Sequence, residues 1–212
     1  CLAQHPKESA VSSAVRLTMA QALVRYLAAL RIEQGDGRLL PYCAGMWAIF
    51  GHGNVAGLGE ALGQHRDILT TYRAHNEQAM AHAAIAFAKA NFRQRIMAVT
   101  SSIGPGATNL LTAAALAHVN RLPVLLLPGD VFASRAPDPV LQQAEDFAAG
   151  DVSVNDAFRP LVRYFDRIMW PEQLLAAIRI VASGEALLSP AITKRVIENF
   201  ARISHPEPPK EL

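Results

Sequence analysis

Short, almost entirely apolar runs alternate along this chain with segments that have helical spacing. The clearest run is LPVLLLPG (122–129), which is apolar from Val124 to Leu127, as is typical of a parallel strand buried on both faces. RIMAVT (95–100) is a second run, and AGMWAIF (44–50) and ILTTY (68–72) are two more. Because helical segments lie between these runs, the chain predicts an α/β fold: a parallel sheet with right-handed crossovers, flanked by helices.

The helical segments carry recognisable start signals. Thr18 and Gln21 have the spacing of a capping box, and Pro105 lies where a first helical turn tolerates proline. Asn76 is a favourable N-cap for an alanine-rich helix that begins with Glu77. The predicted helices are 18–33, 55–65, the helix after Asn76, 105–120, 171–184 and 189–202.

The regular alternation ends near Asp130. We expect a disordered N-terminal extension (1–15), an α/β domain (16–170) and a loosely attached helical tail (171–212) whose proline-rich end is disordered. Because the chain does not begin with Met, we also expect a fragment or an unusual reading frame.

Composition and charge exclude several function classes. A net charge of +2 with scattered basic residues disfavours a nucleic-acid surface. No apolar run approaches the roughly 20 residues of a membrane span, and the N-terminus lacks the apolar core of a signal peptide. The two cysteines, Cys1 and Cys43, form neither a metal motif nor a disulfide framework, so a cytoplasmic location is expected.

Three polar or glycine-rich stretches follow the predicted strands, each where a helix begins. They are IFGHGN (49–54), AHNEQAM (74–80) and TSSIGPGATN (100–109). In an open parallel sheet, ligands bind beyond the carboxyl ends of the strands. Glu77, in the second stretch, has two interpretations: a first-turn acid favoured by the helix dipole, or a functional carboxylate in an alanine-lined pocket.

These stretches carry a resemblance to a known family. HNEQAMAHAA (75–84) together with SSIGPGATNLLTAAALAHVNRLPVLLLPGD (101–130) resembles the pyrimidine-binding domain of thiamine-diphosphate-dependent enzymes. FGHGNVAGLGEAL (50–62) and GDVFASRAPDPVLQQ (129–143) are similar to the trihydroxycyclohexanedione hydrolases of bacterial inositol catabolism. The similarity runs from about Arg16 to about Leu175.

The resemblance implies a cofactor and the residues that contact it. Glu77 matches the glutamate that contacts N1′ of the aminopyrimidine, which makes it both catalytic and cofactor-binding. Gly104, Pro105, Gly106 and Asn109 are implied to lie beside the pyrimidine ring. Mg²⁺ is implied as well, and its ligands are expected in a diphosphate-binding domain outside this sequence. The GDG at 35–37 precedes the first of the three stretches, IFGHGN, and is interpreted as a turn. No metal ligand is therefore assigned.

Three further residues have two open interpretations each. His52 is either a catalytic proton carrier on the reaction side of the cofactor or an exposed turn histidine. Asn54 either orients substrate hydroxyl groups or caps the following helix. Gln142 matches a glutamine that reaches the active site in related enzymes, although glutamines in irregular segments are mostly solvated.

The implied reaction is the hydrolytic opening of a cyclic 1,2-dione to a deoxy-hexuronic acid. The implied partners are this small-molecule substrate, a diphosphate-binding domain in cis or in trans, and further copies of the chain in a homo-oligomer. From Pro171 onward the sequence is instead similar to the linker of two-component response regulators. The alternative is therefore a non-catalytic interaction module or a chimeric fragment.

Overall fold

The computed structural model describes residues 15–132, 139–146 and 152–183. Residues 1–14, and with them nearly all of the expected N-terminal extension, lie outside this range. The expected helix at 189–202 and the proline-rich end also lie outside the described residues.

Helices and strands alternate along the described part of the chain. The helices are α1 (Met19–Ala29), α2 (Glu60–Gln64), α3 (Glu77–Ala90), α4 (Pro105–Thr108), α5 (Leu111–Val119) and α6 (Pro171–Ser183). The strands are β1 (Arg31–Glu33), β2 (Leu39–Pro41), β3 (Cys43–Ala48), β4 (Thr71–Tyr72), β5 (Ile96–Ser101) and β6 (Leu125–Pro128). A π-helical turn (Val55–Gly59) precedes α2, and a 3₁₀ helix (Val154–Leu161) follows β6. Among the described residues, no helix combines the length and apolar character that crossing a bilayer would require.

Four of the strands form one parallel sheet in the order β4-β3-β5-β6. Met46 of β3 is opposite Thr71 of β4, and Ala98 of β5 is opposite Leu125 of β6. Helices cover both faces of the sheet, so the predicted fold class is confirmed.

The central strand β5 connects two apolar cores. All six of its residues are buried, and alternate side chains enter opposite cores because strand side chains point to opposite faces. Ile96 and Ala98 pack in the core that contains α1, α2 and α6. Met97 and Val99 pack in the core that contains α3 and α5.

Strand β6 differs from the prediction of a strand buried on both faces. Leu125 is buried, but Leu126 and Leu127 are half-buried, since β6 is the outermost strand of the sheet as described. A cavity of about 980 Å³ runs along β6 and is bounded on its other side by residues 162–169. Apolar composition therefore does not distinguish this edge strand from the central strand β5.

The first predicted helix ends earlier than the sequence pattern indicated. The capping box between Thr18 and Gln21 is present, but α1 stops at Ala29, and Leu30 adopts an extended conformation. Arg31–Glu33 is instead a strand that pairs with Leu39–Pro41 in an antiparallel hairpin. The backbone hydrogen bonds of this hairpin therefore take the place of the last helical turn that was predicted for residues 30–33. The GDG segment forms its turn, as predicted, and Gly37 has φ +81°.

Two other predicted helices are also interrupted. The segment 55–65 begins as a π-helical turn containing Gly57 and Gly59, and glycine weakens the preference for a regular α-helix. The segment 105–120 divides into α4 and α5 at Asn109 and Leu110. The strand predicted at 68–72 shortens to the two residues of β4.

Helix α6 confirms the helix predicted from Pro171. Leu174 and Ile178 are 6% and 3% exposed and belong to the same core as Leu23 and Leu27 of α1. Arg179 Nε donates a hydrogen bond to Tyr26 Oη at 3.3 Å. α6 therefore shares the core of the α/β domain through Leu174 and Ile178. The sequence had predicted this helix as part of a loosely attached tail.

Candidate active site

The three polar junctions meet at one edge of the sheet because their parallel strands end there. β3 leads into the glycine turn at 51–54, β4 leads into α3, and β5 leads into α4. Asn76 caps α3, since its Oδ1 accepts a hydrogen bond from the backbone N–H of Ala79 at 2.8 Å. This capping places Glu77 at the first helical position of α3, half-buried.

Glu77 contacts the third junction directly. Its Oε2 accepts a hydrogen bond from Nδ2 of Asn109 at 2.9 Å. Asn109 follows α4 immediately, so this bond connects the start of α3 to the end of α4 across 32 residues of sequence. Two of the predicted site residues are thus brought together.

Gly106 leaves space beside the same carboxylate. A Cβ atom built at Gly106 would lie 3.1 Å from Oε1 of Glu77 and would collide with Oγ of Ser102. The absence of a side chain at Gly106 therefore allows Glu77 and Ser102 to approach the α4 backbone. Pro105, the first residue of α4, is exposed and preorganises the helical turn.

Ser102 was not predicted as a site residue. It is 6% exposed and lies between the first and third junctions, because a Cβ atom at Gly51 would also collide with its Cβ. The signal in the sequence is its position, immediately after the buried strand β5 and before the Gly104–Gly106 turn. Small size at this position allows the two turns to pack together.

Gln142 lies over both glycine turns. Its Oε1 would be 3.2 Å from a Cβ at Gly51, and its carbonyl oxygen occupies the space that a Cβ at Gly104 would need. Gly104 has φ +57°, a conformation that favours glycine, and Gln142 itself has φ +66°. Gln142 therefore lies beside both glycine turns, next to their backbone atoms.

Asn54 holds the first turn against β5. Its Nδ2 donates to the carbonyl oxygen of Ser101 at 2.8 Å and to Oγ1 of Thr100 at 3.3 Å. Its Oδ1 accepts the backbone N–H of Gly51 at 3.0 Å. The side chain makes no capping hydrogen bond to the following π-helical turn, so the capping interpretation is wrong. These three bonds position the glycine turn.

His52 lies at the exposed tip of the same turn. Its position allows either of the two predicted interpretations, since the turn adjoins the site while the side chain faces solvent. The large cavity beside β6 is lined by Gly53 and Asn54 of this turn, but not by Glu77, Asn109 or Gln142. Across the described ranges, no cluster of three or more His, Cys, Asp or Glu side chains could hold a metal ion.

Comparison with known proteins gives a family for this domain. Residues 46–149 match the family described as "Thiamine pyrophosphate enzyme, N-terminal TPP binding domain". This range contains all three junctions and every predicted site residue.

Similarity to individual proteins extends over more of the chain. It is 52% identical over 184 residues to a 3D-(3,5/4)-trihydroxycyclohexane-1,2-dione hydrolase of Geobacillus thermodenitrificans, covering 87% of this chain and 28% of that protein. Enzymes of the same name from Bacillus cereus (strain AH820) and Listeria monocytogenes are 52% and 50% identical over 86% and 84% of the chain. The chain spans only about 28% of the length of the curated relatives it matches.

Proposed function

Since residues 46–149 form an N-terminal TPP binding domain of the thiamine pyrophosphate enzyme family, we propose that this chain supplies the pyrimidine-binding half of a thiamine-diphosphate-dependent hydrolase. The proposed substrate is a cyclic 1,2-dione, opened with addition of one water to a deoxy-hexuronic acid. The proposed location is the cytoplasm. The names of the 52% identical relatives support this substrate class.

The position of Glu77 is the observation that carries the proposal. A half-buried carboxylate at the start of α3 has one oxygen bonded to Asn109 and the other beside the bare backbone of Gly106. A carboxylate oxygen in this position fits a protonated ring nitrogen of an aminopyrimidine. Thiamine diphosphate, when bound, supplies a nucleophilic carbon and an electron sink. Glu77 would hold the proton at N1′, and the turn of Gly104, Pro105 and Gly106 would lie beside the ring.

The other predicted residues have supporting positions. We propose that His52 faces the substrate from the exposed tip of the first turn, and that Gln142 reaches it from above the two glycine turns. We propose that Asn54 contributes by holding that turn rather than by direct substrate contact, since its amide bonds with Gly51, Thr100 and Ser101. Mg²⁺ and the diphosphate would be bound by a partner domain, and homo-oligomer formation would complete the site.

A chimera tests this proposal. Residues 16–170 would replace the matching segment of the Geobacillus thermodenitrificans relative, to which the chain is 52% identical. We expect the chimera to open the cyclic dione with Mg²⁺ and thiamine diphosphate. A soluble, correctly assembled chimera without activity, beside an active parent enzyme, would contradict the proposal.

Glu77→Gln in the chimera distinguishes a proton-holding role from a helix-dipole role. If Glu77 holds the proton at N1′, the variant should exchange the C2 proton of bound cofactor about 10²–10⁴-fold more slowly. If the carboxylate only favours the helix start, the change should cost about 1 kcal/mol or less and leave exchange intact. Glu60→Gln is the matched control, because Glu60 is the exposed first-turn glutamate of α2.

A further inference from the structure

The two oxygens of Glu77 have different surroundings. Oε2 accepts the hydrogen bond from Asn109 Nδ2 at 2.9 Å. Oε1 lies 3.1 Å from the point that a Cβ on Gly106 would occupy, and it has no hydrogen-bond donor among the residues that the structure describes. Among the described residues, one oxygen therefore has a hydrogen-bond donor and the other has none.

Asn109 differs from the other asparagines that follow helices. Asn91 follows α3, and its Nδ2 donates to the carbonyl of Phe87, four residues earlier, at 2.9 Å. Asn120 follows α5 and donates in the same way to Leu116 at 2.9 Å. Asn109 occupies the equivalent position after α4, yet its amide donates to Glu77.

The backbone around Asn109 fixes where its side chain starts. The N–H of Asn109 donates to the carbonyl of Pro105 at 3.1 Å, and the N–H of Thr108 donates to the carbonyl of Gly104 at 2.9 Å. Both bonds belong to the single turn of α4. The amide is thus presented to Glu77 from a rigid turn, and a hydrogen bond to an ionised carboxylate is stronger than one to a carbonyl.

We infer that Asn109 is a positioning residue for Glu77 rather than a direct cofactor contact. By holding Oε2, Asn109 fixes the carboxylate rotamer and points Oε1 at the space where N1′ would bind. This inference deepens the proposed function and depends on it for the identity of the ligand. The Asn109–Glu77 pair itself requires no ligand.

A pH titration of the isotopically labelled full chain tests the pair without cofactor. The Nδ2 proton resonances of Asn109 should move with the titration of one carboxylate, because their acceptor loses its charge. In Glu77→Gln this movement should disappear. The Nδ2 protons of Asn91 and Asn120 are internal controls, since they donate to backbone carbonyls.

Resonances of Asn109 that do not respond to pH, or a response that survives Glu77→Gln, would overturn the inference. A nuclear Overhauser contact between Asn109 Hδ2 and Glu77 Hγ provides the same test in the unmodified chain, should the variant not fold. Failure here would leave the proposed function standing, because the activity of the chimera is a separate measurement.

The chimera adds a kinetic test. With Asn109→Ala, a positioning role predicts a kcat lower by about tenfold to a hundredfold, with the affinity for thiamine diphosphate within about threefold of the parent. A direct cofactor contact predicts instead a loss of affinity. Thr108→Ala is the control, because the Thr108 hydroxyl bonds only with the Pro105 carbonyl in the described part of the chain.

Discussion

At the scale of single residues, Glu77 shows how one side chain can satisfy a local preference and still serve a distant site. Asn76 already caps α3 through its own Oδ1, so the helix start does not depend on the Glu77 side chain. The Glu77 carboxylate is instead hydrogen-bonded to Asn109. The first-turn position is compatible with the helix dipole, but the hydrogen bond directs the carboxylate toward the α4 turn.

A second carboxylate, Asp166, should make the stability of the protein depend on pH. Partial desolvation raises the pKa of Asp166, although the residue is exposed. The hydrogen bonds from Tyr164 Oη at 3.2 Å and from the Arg167 backbone, and the charge of nearby Arg159, act in the opposite direction. Because the folded state holds this proton more tightly than the unfolded chain, the contribution of Asp166 is greatest below its ordinary pKa of about 3.9. That contribution is lost as pH rises through the higher pKa of the folded state.

Asp166→Asn should therefore remove part of the pH dependence of unfolding. We expect the free energy of unfolding of the variant, relative to that of the parent, to be higher at about pH 7 than at about pH 4. Urea denaturation at both pH values measures this difference. Tyr164→Phe should have the opposite effect, since it removes the hydroxyl that stabilises the charged carboxylate. Equal differences at both pH values for Asp166→Asn would contradict the assignment.

At the scale of elements, predicted helices are broken or shortened where side-chain or backbone groups bond outside their own segment. The break between α4 and α5 falls at Asn109, whose amide leaves its helix for Glu77. Helix α1 ends where the hairpin of β1 and β2 begins. Helix starts, in contrast, follow local rules at Thr18, Asn76 and Pro105.

Helix α6 offers a test of which residues the core requires. Leu174→Ala should lower the free energy of unfolding by about 2–5 kcal/mol, because Leu174 is 6% exposed within the α1-facing core. Leu141→Ala is the matched control and should have little effect, since Leu141 is 65% exposed.

Removing residues 184–212 should change Tm little, because Leu174 and Ile178 keep their contacts. Calorimetry of the three proteins would contradict this picture if the truncation had the largest effect.

At the scale of the whole molecule, the described sheet brings together the residues that we propose contact the pyrimidine ring. Glu77, Gly106 and Asn109 meet at its carboxyl edge. The described residues include no cluster able to hold Mg²⁺, and the GDG at 35–37 lies in the β1–β2 hairpin.

The chain alone should bind thiamine diphosphate weakly. We expect a Kd well above about 1 μM, because a micromolar Kd corresponds to about 8 kcal/mol and the diphosphate contributes little here. Adding Mg²⁺ should not strengthen binding, and Glu77→Gln should reduce what binding remains. Isothermal titration calorimetry measures the Kd of the chain alone, the effect of Mg²⁺ on it and the effect of Glu77→Gln. Micromolar or tighter binding that depends on Mg²⁺ would show that this chain binds the diphosphate as well.

Periodicity and local chemistry were sufficient to predict the parallel α/β fold, the capped helices and the three junctions at one sheet edge. They were also sufficient to single out Glu77, because a carboxylate among alanines is visible in the sequence. These features depend on residues that are neighbours along the chain.

The partner of Glu77, the packing role of Ser102 and the position of Gln142 over the glycine turns became visible only in the folded chain. The edge position of β6 and the early end of α1 belong to the same group. Each depends on contacts between segments distant in sequence, 32 residues apart for Glu77 and Asn109. Local propensity carries no information about which distant group will form a hydrogen bond with a given side chain or backbone segment.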